Sequence, residues 1–140
     1  MKRHTEQSFA SFYRRHLLED VMPFWEEHSI DREHGGYLTC LDRYGEVTDD
    51  RKYVWFQARQ VWMFSALCER VESRTRWVEA AEHGFRFLLD ECYAGEGIWH
   101  FRLSRKGDVE KADISVFRDL YAALALAQYS HVFGDPHARR

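Results

Sequence analysis

A pattern that occurs twice, 61 to 62 residues apart, constrains this 140-residue chain more than any other feature. Gly36 aligns with Gly97, Arg43 with Arg105, Gly45 with Gly107 and Val47 with Val109; Trp55 then falls on Phe117 and Arg59 on Tyr121. Each copy reads as an amphipathic helix, a hairpin and a strongly apolar helix. In the first, Phe9, Phe12, Tyr13, His16, Leu17, Phe24 and Trp25 recur at helical spacing, with Arg14, Arg15, Glu19 and Asp20 largely opposite. Pro23 should kink this helix or open a new first turn. The helix should end near His28, before a hairpin in "GGYLTCLDRYGEVTDD" that turns at "DRYG".

A second helix is predicted over 53–71. Its stripe Trp55, Arg59, Trp62, Ala66 is flanked by Phe56, Met63 and Leu67, and a helix apolar all round is a buried one. A third, over 74–93, turns Trp77, Ala80, Ala81, Gly84, Phe85 and Leu88 inward; "GIWHFRLSRKGDVEKAD" then repeats the hairpin and "ISVFRDLYAALALAQYSHVF" the apolar helix. The repeat units span about 6–71 and 74–133, and "GDPHARR" (134–140) reads as a turn and the start of a third. Repeats of this kind cannot bury their inner faces alone. The expectation is therefore one domain portion, 1–140, opening a larger toroid, with a self-sufficient four-helix bundle as the alternative.

Composition narrows the function classes. Aromatics reach 16%, which suits either an aromatic core or a ring- and carbohydrate-binding surface. A net charge of −3 with no basic block gives no nucleic-acid footprint. "MKRHTEQSFASFYRR" has no apolar run after its charges, and no stretch approaches the roughly 20 apolar residues of a membrane span. Three cysteines without CxxC spacing read as reduced thiols of a cytoplasmic protein, and eight histidines without HExxH spacing predict no metal.

Arg59 is the residue that demands a reason. A guanidinium keeps its charge when buried and needs a partner. Read from spacing, it is either a structural arginine paired with Asp49, Asp50 or helix-end carbonyls, or a group that holds a substrate oxygen. Tryptophan faces stack on sugar C–H faces and on guanidinium; Trp55 is expected in such a pocket and Trp62 in the core. His28 and His34 are expected to brace the turn into the hairpin, His100 to face a hairpin end, and Cys40 to lie inert in the core. Gly35, Gly36, Gly45 and Gly107 are expected in turns, and the "DREH" and "RTRW" stretches on solvated faces or helix starts.

The block "FWEEHSIDREHGGYLTCLDRYGEVTDDRKYVWFQARQVWMFSAL" strongly resembles the N-terminal region of N-acylglucosamine 2-epimerases, also called renin-binding proteins. It is similar, more widely, to cellobiose 2-epimerases and aldose–ketose sugar isomerases. The likeness runs from about Phe9 to Phe133 and is weaker in "FRLSRKGDVEKADISVF" and after. It implies an (α/α)6 barrel of six helical hairpins, about two of them present here. It also implies a reaction at C2 of the open-chain sugar, N-acetylglucosamine to N-acetylmannosamine, with two histidines as acid and base. By position in W-x-x-x-R, Arg59 would hold the carbonyl oxygen as an enediolate forms, with Trp55 as the neighbouring pocket tryptophan. Phe117 matches the aromatic on the second inner helix, and phenylalanine there leans toward the N-acylglucosamine branch.

The histidines of the family have no match in these residues, so the chain is expected to be a fragment without activity of its own. The resemblance further implies no metal or redox cofactor, a nucleotide only as an allosteric effector, and a homodimer. Two rivals stand beside it. One keeps the barrel but works as an aldose–ketose isomerase, or as a glycan hydrolase with Asp49 or Asp50 as its acid. The other is a non-catalytic module that pairs its exposed inner helices with another chain.

Overall fold

A computed structural model describes residues 3–112 and 115–134, with side chains from Ser8 onward. The stretch expected to begin a third unit lies, after Gly134, outside the described residues, as does Ile114 at the expected start of the last helix.

The first helical run is α1 (Arg3–His16), a π-wound turn (Leu17–Val21) and α2 (Met22–His28), with Pro23 in the first turn of α2. The run is helical on both sides of Pro23, so the proline, which lacks an N–H, leaves a carbonyl of the preceding turn without its intrahelical donor, directly after the wider π winding. The predicted inner face of α1 does not pack: Phe9, Phe12 and Tyr13 are more than half exposed, and burial begins at Met22, with Leu17 and Leu18 against its edge. Helical spacing reveals a face but not whether anything covers it.

Strands β1 (Cys40–Leu41) and β2 (Val47–Asp49) form the first hairpin, and β3 (Lys52–Tyr53) leads into α3 (Val54–Arg70). α4 (Thr75–Phe87) ends in a second π-wound turn (Leu88–Cys92). A small hairpin, β4 (Tyr93–Gly95) and β5 (Ile98–Trp99), follows. β6 (Arg102–Leu103) and β7 (Val109–Lys111) form the next, before α5 (Val116–Phe133). The two main turns close with the same bonds: Asp42 N–H to Glu46 O and Gly45 N–H to Asp42 O, matched by Ser104 to Asp108 and Gly107 to Ser104. Gly45 and Gly107 take φ of 89° and 101°, values that side-chain-bearing residues rarely adopt.

The units are sewn together at β3. Lys52 and Tyr53 pair with Leu103 and Arg102 in the three-stranded order β3–β6–β7, and Val54 N–H reaches Phe101 O. α3 packs chiefly against α4 and α5. Its buried face is Val54, Ala58, Val61, Phe64 and Leu67, meeting Trp77, Ala81 and Phe85 of α4 and Ala122, Ala125 and Tyr129 of α5 in one core. The predicted all-round burial of α3 is thus corrected: Arg59 and Trp62 are exposed and Trp55 half-buried. α4 and α5 cover only part of its circumference, and the Trp55–Arg59–Trp62 stripe lies on the remainder. The interior face of α4 is as expected, and "RTRW" begins that helix.

Two polar nodes hold the hairpin loops onto the helices. Tyr37, fully buried, donates its N–H to Gln57 Oε1 and accepts from Gln57 Nε2, each at 2.8 Å, and its hydroxyl donates to Ala80 O at 2.7 Å. Burial pushes the Tyr37 phenol well above its ordinary pKa. Gly84 lets this ring lie directly on α4, because a Cβ there would run into the phenol. Gln57→Leu would leave both backbone groups of Tyr37 unpaired in the core, so a loss of about 2 kcal/mol is expected in urea unfolding.

The second node overturns an expectation. Asp31, in the "DREH" stretch expected to be solvated, is 1% exposed. Lys52, itself fully buried, donates to Asp31 Oδ2 at 2.9 Å and to the carbonyls of Gly35 and Arg105 at 2.5 and 2.7 Å. The Arg105 guanidinium grips both oxygens of the same carboxylate at 3.1 and 3.2 Å. His83 Nε2 lies 3.1 and 3.0 Å from the carbonyls of Asp31 and Gly36, so this nitrogen carries the proton. Burial alone would raise the Asp31 pKa, but the bonds from Arg105 and Lys52 outweigh it and hold the carboxyl well below its usual range. Arg43, the repeat mate of Arg105, instead lies over the Tyr44 ring.

Candidate functional site

The exposed side of α3 forms one wall of a cleft of about 630 Å³. Phe56, Arg59, Gln60, Trp62 and Met63 come from α3, Tyr121 and Leu124 from α5, Trp25 from α2, and Thr39 from the segment entering β1. Helical geometry explains the α3 set. Residues 56, 59, 60 and 63 follow i, i+3, i+4, i+7 spacing and share a face.

Arg59 reaches into this cleft without a carboxylate. Among the described residues no ion pair involves it; its guanidinium lies 5.9 Å from the Trp55 ring centroid and 5.5 Å from that of Tyr121. The structural alternative, pairing with Asp49 or Asp50, does not occur. Asp49 is taken by Arg51, whose guanidinium donates at 2.8 and 2.7 Å, and Asp50 is exposed. These bonds lower the Asp49 pKa to about 2. A cation beside two neighbouring aromatic rings, open to a cleft, can bind an oxygen that gains negative charge.

Of the sequence-predicted residues, Trp55 is half-buried, stacked on Phe56 at 4.0 Å between centroids and 6.2 Å from Tyr121. It backs the Arg59 guanidinium rather than walling the cleft. Phe117 is 71% exposed on the first turn of α5 and does not line the cleft. The expectation that Trp62 belongs to the core is corrected: it is 38% exposed, lines the cleft, and carries the Arg70 guanidinium 5.8 Å from its ring. Cys40 is half-buried rather than in the core, whereas Cys92 is fully buried and its thiol pushed far up by that burial.

His28 packs on Phe24 at 5.0 Å beneath the Gly45 turn and braces the loop as expected; at His34 it is the backbone N–H that donates to Asp31 Oδ1, while its ring lies 3.5 Å from the Glu33 carboxylate. Sequence reasoning missed Trp25, Thr39, Gln60, Tyr121 and Leu124. For Tyr121 a signal existed, since the repeat register places it opposite Arg59.

Among the described residues, no carboxylate and no histidine line the cleft. It can bind and polarise a carbonyl compound, but its described lining offers no imidazole or carboxylate as a base. Among the described residues no cluster of histidine, cysteine or acidic side chains could hold a metal, and no helix is long and apolar enough to cross a membrane.

Comparisons with known proteins fit this geometry. Residues 36–140 match the family model for N-acylglucosamine 2-epimerase (GlcNAc 2-epimerase). The chain is 39% identical over 127 residues to an N-acylglucosamine 2-epimerase of Rattus norvegicus, covering 88% of this chain and 30% of that protein. Against the one from Homo sapiens the values are 39% over 122 residues, 84% and 29%. Its structure superimposes on the cellobiose 2-epimerase of Spirochaeta thermophila with a TM-score of 0.84 at 26% identity, covering 97% of this chain and 34% of the other. The chain thus spans about a third or less of the length of these proteins. Its helical hairpins are those of an (α/α)6 barrel, of which it supplies about a third.

Proposed function

The chain belongs to the N-acylglucosamine 2-epimerase family, and from this we propose that it supplies the oxyanion-holding part of a sugar 2-epimerase acting on N-acyl hexosamines. The observation that carries the reading is Arg59, a permanent cation facing a cleft with aromatic neighbours and no carboxylate to neutralise it.

In this reading the open-chain sugar places its C1 carbonyl oxygen on the Arg59 guanidinium. Loss of the C2 proton sends the electron pair onto that oxygen, and the fixed charge stabilises it as it forms. Trp55 holds the guanidinium plane from behind, and Trp62 offers an aromatic face to the sugar. Phe117, exposed on the next inner helix, is a further candidate for substrate contact. Acid and base must come from groups other than the described lining of this cleft, because none of it is a histidine or a carboxylate. The same cleft argues against a glycan hydrolase: such an enzyme needs a carboxylic acid kept protonated, whereas Asp49 is held ionised by Arg51.

Trp25 and Trp62 both line the cleft, so tryptophan fluorescence should report occupancy. A saturable change is expected on titrating the chain with N-acetylmannosamine or N-acetylglucosamine, together with no C2 hydrogen exchange into deuterated water. Absence of a saturable change would remove the sugar-binding reading. Exchange at C2 by this chain alone would show that it carries its own base.

A further inference from the structure

We propose that Thr39 and Gln60 form the seat for the acylamino group of the sugar, a proposal that rests on the sugar-binding reading above. Among the described residues, the buried side-chain polar atoms without a hydrogen-bond partner are Thr39 Oγ1 and Gln60 Oε1. Both residues line the cleft that holds Arg59, and Gln60 follows Arg59 on α3 while being only 8% exposed; the two orphaned atoms themselves lie closed off beneath the cleft surface, so a ligand reaches them only as the two side chains rotate toward it. Other buried polar groups of the same helix are satisfied: Gln57 by Tyr37, and the Ser65 hydroxyl by Val61 O at 2.8 Å. An orphaned buried acceptor is a standing cost. Two of them at one cleft, and no other such pair among the described residues, point to a ligand that completes them.

The chemistry of the pair selects the ligand group. A glutamine carbonyl oxygen only accepts, whereas a threonine hydroxyl can donate. An acylamino group presents the complement in one planar unit: its N–H donates to Gln60 Oε1 and its C=O accepts from the Thr39 hydroxyl. Met63 and Leu124, which line the same cleft, give the acyl carbon an apolar wall. A 2-hydroxyl in its place offers one atom for both bonds and leaves that wall wet. Thr39 and Gln60 are therefore specificity residues, distinct from the carbonyl-holding Arg59.

The test compares N-acetylglucosamine with glucose on the 140-residue chain, by fluorescence in the wild type, Gln60→Leu, Thr39→Val and Arg59→Ala, and by the amide spectrum of the Gln60 side chain in the three that keep it. Each of the first two variants should bind N-acetylglucosamine about tenfold more weakly, a single lost hydrogen bond. Their affinity for glucose should be unchanged. Their melting temperature should hold or rise by a few degrees, because each replaces an unpaired polar atom by an apolar one of similar shape.

Arg59→Ala should weaken both sugars alike. Unchanged N-acetylglucosamine affinity in both Gln60→Leu and Thr39→Val overturns the proposal while leaving the sugar reading intact. So does an equal loss for both sugars, which would place a shared hydroxyl on the seat. A lowered melting temperature with intact sugar preference would make the pair merely structural. A wild-type chain that binds neither sugar removes the sugar reading and this proposal with it.

Discussion

Lys52→Met is expected to cost about 3–5 kcal/mol, a large part of what holds a chain of this size together. The ammonium is fully buried, and its three acceptors are the Asp31 carboxylate and the carbonyls of Gly35 and Arg105. Its removal leaves Asp31 with Arg105 as its one cationic partner beside the N–H groups of Glu33 and His34, and two carbonyls short of a donor, all inside the junction of the two units. Methionine replaces most of the aliphatic stem, so lost volume accounts for little of the change; the ammonium's contact with the Phe87 ring, 4.7 Å from its centroid, goes with the charge. Urea unfolding measures it; a loss under 1 kcal/mol would mean that the pair only breaks even against its own desolvation.

The same node sets an acid limit. Asp31 has its folded pKa depressed, so its contribution is fully present above the unfolded carboxylate value near 4. That contribution is lost progressively as pH falls below it toward the lower folded value. Stability should therefore fall steeply below about pH 4. In Asp31→Asn the starting stability should be lower and that part of the slope gone. An acid limb identical in the two proteins would place the titrating group elsewhere.

Arg59→Lys, made in a full-length family enzyme that carries this arginine and its surroundings, is expected to lower kcat by about 10²–10³ with the fold intact. Lysine keeps the charge but loses the flat fork that lies beside the two rings, here 5.9 and 5.5 Å from the Trp55 and Tyr121 centroids. KM should move less than kcat, because the interaction strengthens only as the oxygen gains charge. Turnover within a factor of three of wild type would sink the role assigned to Arg59.

Much of this was legible in the chain itself. The repeat register located both main turns, and the structure closes them with matched bonds at Asp42–Glu46 and Ser104–Asp108. Pro23 and the inward face of α4 were readable for the same reason, that each depends on residues within a turn or two. Asp31 was misread because its partners stand 21 and 74 residues away, and nothing near "DREH" announces them. Trp62 was misread because an aromatic at helical spacing packs equally well in a core or a cleft.

The sequence by itself determined the unit and its order: amphipathic helix, hairpin, apolar helix, with glycine where the turns need positive φ. These are local matters of period and backbone sterics. Which side of α3 becomes a cleft, which cations meet Asp31 and which two polar atoms go without partners were decided only in three dimensions. Each depends on how completely α4 and α5 wrap α3, and on a second hairpin laid against the end of the first unit.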